Sequence, residues 1–211
     1  MKFEVSDVQN KAFRIAIVGG IAVGKSTILK DLSKNLDNCL SIEEDVSQNI
    51  FLPDFYEDMK KWAFHSRIST MAMIANNYLN IQNNLEAKVV LMDRCLDELI
   101  TFAQLHYDKG NMSDKEFDVY KMLYNSIVKF APPIDLFLYV NCSPENSMER
   151  IKKRNRSFEQ DITIEYIKKL NGYYDRWIMS LNPQKVVSLN TDSIISSSEI
   201  AKIIKNAISR K

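Results

Sequence analysis

The segment Gly19-Gly20-Ile21-Ala22-Val23-Gly24-Lys25-Ser26-Thr27 constrains this chain more than any other, because it directly follows the apolar, β-branched run Phe13–Val18. Its pattern, GxxxxGK[ST], requires each residue for a physical reason. Gly19 and Gly24 let the backbone turn so that successive N–H groups point at one anion. Lys25 brings a mobile point charge to β- and γ-phosphates. The Ser26 hydroxyl is suited to ligate Mg2+, and Thr27 opens a helix whose positive end faces the phosphates. Gly20, Ala22 and Val23 supply the remaining loop backbone. With a strand before it and a helix after it, the segment predicts a phosphate-binding loop in an α/β fold. No NKxD guanine-reading motif is present, so ATP is the expected donor.

The rest of the chain fits that frame. Five glycines and five prolines in 211 residues favour long helices joined by short loops. Helical spacing covers residues 26–36, 55–85, 97–107, 113–130, 143–156, 163–181 and 197–208. Short apolar runs at 13–18, 40–43, 88–92, 134–140 and 185–189 read as strands. Alternation of the two predicts a five-stranded parallel sheet covered by helices on both faces. The long helix at 55–85 carries more than one apolar stripe and should pack on two sides, the second suiting another subunit. Residues 1–211 are expected to form one domain. With hydrophobic residues at 45% there is material for a core, and a net charge of +1 gives no field for nucleic acid or anionic membrane. Cys39, Cys95 and Cys142 have no metal-site spacing, and no run is long and apolar enough to span a bilayer, so a cytoplasmic protein is expected.

Two acidic sites fall at strand ends, where ligands of such sheets bind. Glu43-Glu44-Asp45 closes the second strand and Asp93-Arg94 the third. A carboxylate there can take a proton from an attacking hydroxyl or hold magnesium, and Arg94 can neutralise charge between acceptor and phosphate. Arg150, Lys152, Lys153, Arg154 and Arg156 form a basic cluster, in which Arg150 and Arg154 share a helix face. The cluster reads as a short lid over the phosphates, about residues 150–162.

These segments together resemble the deoxynucleoside kinase family of P-loop kinases. The likeness runs from about Arg14 to Trp177 and is most specific at the loop, at Phe55-Tyr56-Glu57-Asp58-Met59-Lys60-Lys61-Trp62-Ala63-Phe64, at Asp93-Arg94-Cys95, and from Arg150 through Glu159. It implies ATP- and magnesium-dependent phosphorylation of a deoxynucleoside 5′-hydroxyl by a homodimer. By the same resemblance Glu44 is the general base, Tyr56 and Glu159 bind the sugar 3′-hydroxyl, and Asp93 is associated with magnesium. Arg94 lies near the 5′-oxygen, Arg150, Arg154 and Arg156 are lid arginines, and Phe102 stacks on the base. The chain departs from the pattern at Asp45, at Cys95 and at Asn155, which stands where a lid glycine is usual. The segment between Arg94 and Phe102 is one residue short, leaving Asp97 or Glu98 for the acidic base contact. Arg67 replaces the glutamine that usually pairs with the base. A donor-only fork at that place favours guanine, unless Asp97 or Glu98 clamps Arg67 or it faces solvent. Trp62 and Phe64 read as core, and His65 and His106 have no evident role. Two other activities share parts of this pattern, nucleoside monophosphate phosphorylation and ATP binding without catalysis.

Overall fold

A computed structural model describes residues 12–82, 86–193 and 196–208. Five strands, β1 (Phe13–Val18), β2 (Cys39–Ile42), β3 (Val89–Asp93), β4 (Leu136–Asn141) and β5 (Val186–Asn190), form one sheet in the order β2-β3-β1-β4-β5. Every pairing is parallel. The helices are α1 (Lys25–Ser33), α2 (Leu52–Glu57), α3 (Met59–Gln82), α4 (Leu99–Asp108), α5 (Asp114–Val128), α6 (Pro144–Arg154), α7 (Ile164–Ser180) and α8 (Ser197–Ile208).

Strand alternation divides the core into two. Ile15 and Ile17 of β1 face the side covered by α1 and α8, packing with Leu29, Leu32 and Ile204. Ala16 and Val18 face the opposite side, where α2, α3, α5 and α7 bury Phe55, Met71, Tyr120 and Tyr174. Burial of each large apolar side chain contributes about 1.5–3 kcal/mol, so both layers are needed to hold the sheet between them. Both strand faces are therefore apolar, as the continuous hydrophobic runs require. Register places Ile17 beside Asp93, so the loop after β1 and the Asp93-Arg94 pair leave the sheet at the same height.

The expected single helix at 55–85 is two helices. Asp58 has extended backbone (φ −139°, ψ 88°) and its carboxylate accepts from the Lys61 backbone N–H at 3.1 Å. An aspartate in that position caps a new helix more readily than it continues the old one. Residues 83–85 of that expectation lie outside the described residues. Trp62 and Phe64 pack on the core as expected. At the end of α6, Asn155 adopts φ 50° and caps the helix. Asparagine tolerates this left-handed conformation, which explains how it stands where a glycine is usual.

His106 lies fully inside α4's buried face, with Nε2 on the Tyr166 hydroxyl at 3.1 Å and Nδ1 on Asn111 at 3.1 Å. Burial, with the Arg67 and Lys109 charges, holds it well below the ordinary histidine range. The folded state thus stays neutral at His106 while the unfolded chain takes up a proton below about pH 6.5. More protons in the unfolded state means stability that falls as pH falls. Urea unfolding between pH 7 and 5 should show wild type losing up to about 1.4 kcal/mol per pH unit more than His106→Gln. Parallel pH profiles for the two proteins would contradict this.

Two glycines should respond to alanine with opposite signs. A Cβ on Gly19 would collide with the Val140 carbonyl, and its φ of 144° is itself unsuited to a side chain. Gly19→Ala is expected to cost at least about 1–3 kcal/mol. Gly172 lies inside α7, where a Cβ would meet only the Arg176 guanidinium at 4.0 Å, so Gly172→Ala should gain about 0.4–1 kcal/mol. Urea midpoints of the two variants on either side of wild type are the expected readout.

Candidate active site

The loop after β1 turns through left-handed backbone at Ala22 (φ 56°) and Gly24 (φ 101°) before α1 begins at Lys25. Gly24 caps α1 without any side-chain hydrogen bond, and no acidic residue stands in the first turn. The free N–H groups and positive dipole end of α1 therefore meet only what enters the cavity. Ile21, Ala22, Val23, Gly24, Lys25, Ser26 and Thr27 line that cavity, whose volume is about 360 Å³. Gly19 and Gly20 do not line it, contrary to expectation. Their carbonyls instead accept from Lys25 Nζ at 3.1 and 2.7 Å, so they anchor the lysine from beneath. Burial and the neighbouring Arg94 hold the Lys25 ammonium below its ordinary range, against the opposing pull of Asp93, Glu44 and Glu98. An anion beside it would be strongly favoured.

Ser26 Oγ donates to Asp93 Oδ2 at 2.6 Å, while Asp93 Oδ1 is buried with no partner. Burial raises the Asp93 carboxyl above its usual range, partly offset by Lys25. A hydroxyl oxygen and an orphaned carboxylate oxygen side by side fit the hard-oxygen chemistry of a magnesium site. They are the two residues expected to hold that ion.

Arg94 follows directly, in left-handed backbone at φ 74°, with its N–H on the Ile17 carbonyl at 3.1 Å. That bend sends the guanidinium across the cavity wall. Nε donates to Glu44 Oε1 at 2.6 Å, and Nη1 reaches Glu98 at 3.4 Å and the Tyr174 hydroxyl at 3.3 Å. Burial disfavours its charge, but Glu44, Tyr174 and Glu98 outweigh it and hold the group well above its ordinary range. Glu98 also accepts from Tyr174 Oη at 2.6 Å and from the Gly19 N–H at 3.4 Å. Glu98 is thus the acidic residue turned inward, and it serves Arg94 and the loop. Neither Glu98 nor Asp97 lines the cavity itself. Burial raises the Asp97 carboxyl, Lys185 is the cation nearby, and the Asp97 carbonyl accepts from Tyr124 Oη. The short connection between Arg94 and α4 lets only one of two adjacent carboxylates face inward.

At the other end of the cavity stand Tyr56, Arg67, Phe102 and Glu159. Tyr56 is stacked on Phe158, with centroids 5.9 Å apart, and burial raises its hydroxyl. Glu159 is bound by Arg154 through two 2.6 Å contacts and by Arg156 at 3.4 Å. Arg154 is therefore committed to a carboxylate here instead of pointing free to the loop. Arg150 donates to Thr191 Oγ1 at 2.8 Å and to the Thr191 carbonyl at 2.7 Å, which sets it beside the loop. All three arginines line the cavity. The Arg67 guanidinium carbon lies 5.0 Å from the Phe55 ring centroid and 5.2 Å from that of Phe102, and Arg94 is 5.2 Å from the latter.

Sequence reasoning missed Asn49 and Thr70, which line the cavity and share a 3.0 Å hydrogen bond, and Tyr174, which supports Arg94. Ser66, Arg67 and Thr70 sit three and four apart on one face of α3. Buried polar residues at helical spacing were the signal available.

Comparison with known proteins agrees with this geometry. Residues 15–210 match the deoxynucleoside kinase family. Deoxyadenosine kinase of Dictyostelium discoideum is 31% identical over 205 residues, 94% of this chain and 82% of that protein. Deoxyguanosine kinase of Lactobacillus acidophilus is 31% identical over 207 residues, covering 92% of this chain and 88% of the relative. Among solved structures, deoxyadenosine kinase from M. mycoides with products dCMP and a flexible dCDP bound superposes with a TM-score of 0.80 at 28% identity, over 94% of this chain and all (100%) of the other. Fold, cavity and relatives agree, and the chain belongs to the deoxynucleoside kinase family.

Proposed function

We propose that this kinase phosphorylates the 5′-hydroxyl of a deoxynucleoside in nucleotide salvage, with Glu44 as general base and Arg94 holding it. The Glu44–Arg94 pair on the wall of the cavity that the loop also lines is the observation that carries this reading. ATP would supply the γ-phosphoryl group, and magnesium held by Ser26 and Asp93 would supply countercharge to its phosphates. The acceptor hydroxyl must lose a proton as it attacks, and Glu44 is the carboxylate placed to take it. Arg94 keeps that carboxylate oriented and, beside the reacting oxygens, offsets developing negative charge. Lys25, the loop from Ile21 to Thr27 and Arg150 bind the phosphates, while Gly19 and Gly20 hold Lys25 through their carbonyls. Arg156 and Arg154 belong to the lid, and Tyr56 with Glu159 bind the 3′-hydroxyl.

An uncharged acceptor suits this end of the cavity. A monophosphate would need free cations beside the acceptor position, and Arg94 and Arg154 are already engaged there by Glu44 and Glu159. Among the described residues no helix is long and apolar enough to cross a membrane, and the reading places the enzyme in the cytoplasm. Leu79 on α3 and Met122 and Leu123 on α5 are exposed apolar side chains that support a homodimer through these helices.

Glu44→Gln should lower kcat by about 10²–10⁴-fold with little change in nucleoside KM. Glu43→Gln is the control, because Glu43 is exposed and pairs with the exposed Lys30 at 3.3 Å. Steady-state kinetics with an inactive Glu43→Gln and an active Glu44→Gln would reverse the assignment.

A further inference from the structure

We infer that Arg67 selects the base, through a bidentate contact to two adjacent acceptors, and that deoxyguanosine is the preferred acceptor nucleoside. This rests on the nucleoside kinase reading above. The observation is a buried cation left without a countercharge on the wall of the substrate cavity. Arg67 is 7% exposed, yet among the described residues it has no salt bridge. Its one hydrogen bond there runs from Nη2 to the neutral Ser66 hydroxyl at 3.0 Å, and its Nε is buried with no partner. The two carboxylates that could have clamped it are engaged elsewhere: Glu98 on Arg94 and Tyr174, Asp97 away from the cavity.

The ring and hydroxyl contacts that Arg67 makes are to neutral groups. Phe55 and Phe102 hold the plane of the guanidinium by their rings. Nearby His106 is kept uncharged by burial and by Arg67 itself. Buried guanidinium groups ordinarily find anionic or strongly accepting partners, since leaving their donors unmet is costly. Arg67 lines the cavity together with the apolar side chains Phe55, Leu99 and Phe102, the first and last of which lie against its guanidinium. An aromatic base fits such walls, and the edge it turns to Arg67 must accept.

Guanine carries O6 and N7 as adjacent acceptors, matching the planar fork. Adenine sets its N6 amino group against a donor. Cytosine likewise offers N4–H₂ on its outer edge, and thymine has O4 beside a methyl group. On the edge turned away from the sugar guanine alone of the four offers two adjacent acceptors, because cytosine has its pair, N3 and O2, on the side next to the glycosidic bond.

The test uses the intact protein and kcat/KM for the four deoxynucleosides and for 7-deazadeoxyguanosine, which lacks the N7 acceptor. Deoxyguanosine should exceed deoxyadenosine by about tenfold or more, and the deaza analogue should fall about tenfold below deoxyguanosine. Arg67→Gln, with folding checked by thermal melting, should bring the guanine-to-adenine ratio to near one or below. Deoxyadenosine used as well as deoxyguanosine by wild type overturns the inference, as does an unaffected deaza analogue or a ratio unmoved in folded Arg67→Gln. The wild-type comparisons decide the matter if the variant does not fold. Failure to phosphorylate any nucleoside would instead overturn the kinase reading beneath it, so the two failures are distinguishable.

Discussion

Arg94 is the residue on which the site depends. Its left-handed backbone turns the chain out of β3, and its side chain ties Glu44 after β2 to Glu98 before α4 and Tyr174 on α7. Glu98 in turn reaches the Gly19 N–H at the base of the phosphate loop. One guanidinium thus fixes the relative positions of three elements and the loop. Ion networks this buried are weak sources of stability, since desolvation offsets most of the Coulomb gain. What the network supplies is geometry: removing one member leaves a buried charge unmatched, so the arrangement has few alternatives. The cost of holding Arg94 at positive φ is of the order of 1–3 kcal/mol, and such cost concentrates at functional positions.

The cavity is divided by charge. Around the loop, Lys25, Arg150 and the end of α1 are suited to phosphates, while Ser26 and Asp93 offer oxygen ligands to a cation. At the far end the cations Arg154 and Arg156 are matched by Glu159. Between them the Glu44–Arg94 pair stands on the wall. A substrate that is neutral where it meets Glu44 and apolar where it meets Phe55 and Phe102 satisfies both regions. Arg67 is the exception in the second region, a charge without a carboxylate among the described residues, and for that reason it informs on the substrate more than on the fold.

Much of this was legible before the structure. Strand β1 and the loop after it follow from an apolar run and fixed residue spacing, and the parallel sheet follows from alternating strand and helix periods. Ser26 and Asp93 were each legible as magnesium-site residues, and the structure adds that they are hydrogen-bonded to one another. What sequence could not fix was the direction of individual side chains. Asp97 and Glu98 are chemically alike, and the register of a short turn alone decides which faces Arg94. The break at Asp58 was hidden because apolar spacing continues across it, and capping overrides that spacing. Arg154 carries the right charge at the right helical position, yet Glu159 five residues on captures it. Asn49 gave no sign because a lone amide has no motif, and the polar spacing of Thr70 with Ser66 and Arg67 was the one signal for this wall.

The central claim is that the acceptor is a nucleoside hydroxyl beside Glu44. Its most direct test is the initial rate of phosphate transfer from ATP to each deoxynucleoside and to the matching 5′-monophosphate, with products identified by mass. The account predicts that deoxynucleosides are converted to 5′-monophosphates and that monophosphates react far more slowly. Faster conversion of a monophosphate to a diphosphate than of its nucleoside to a monophosphate would contradict it.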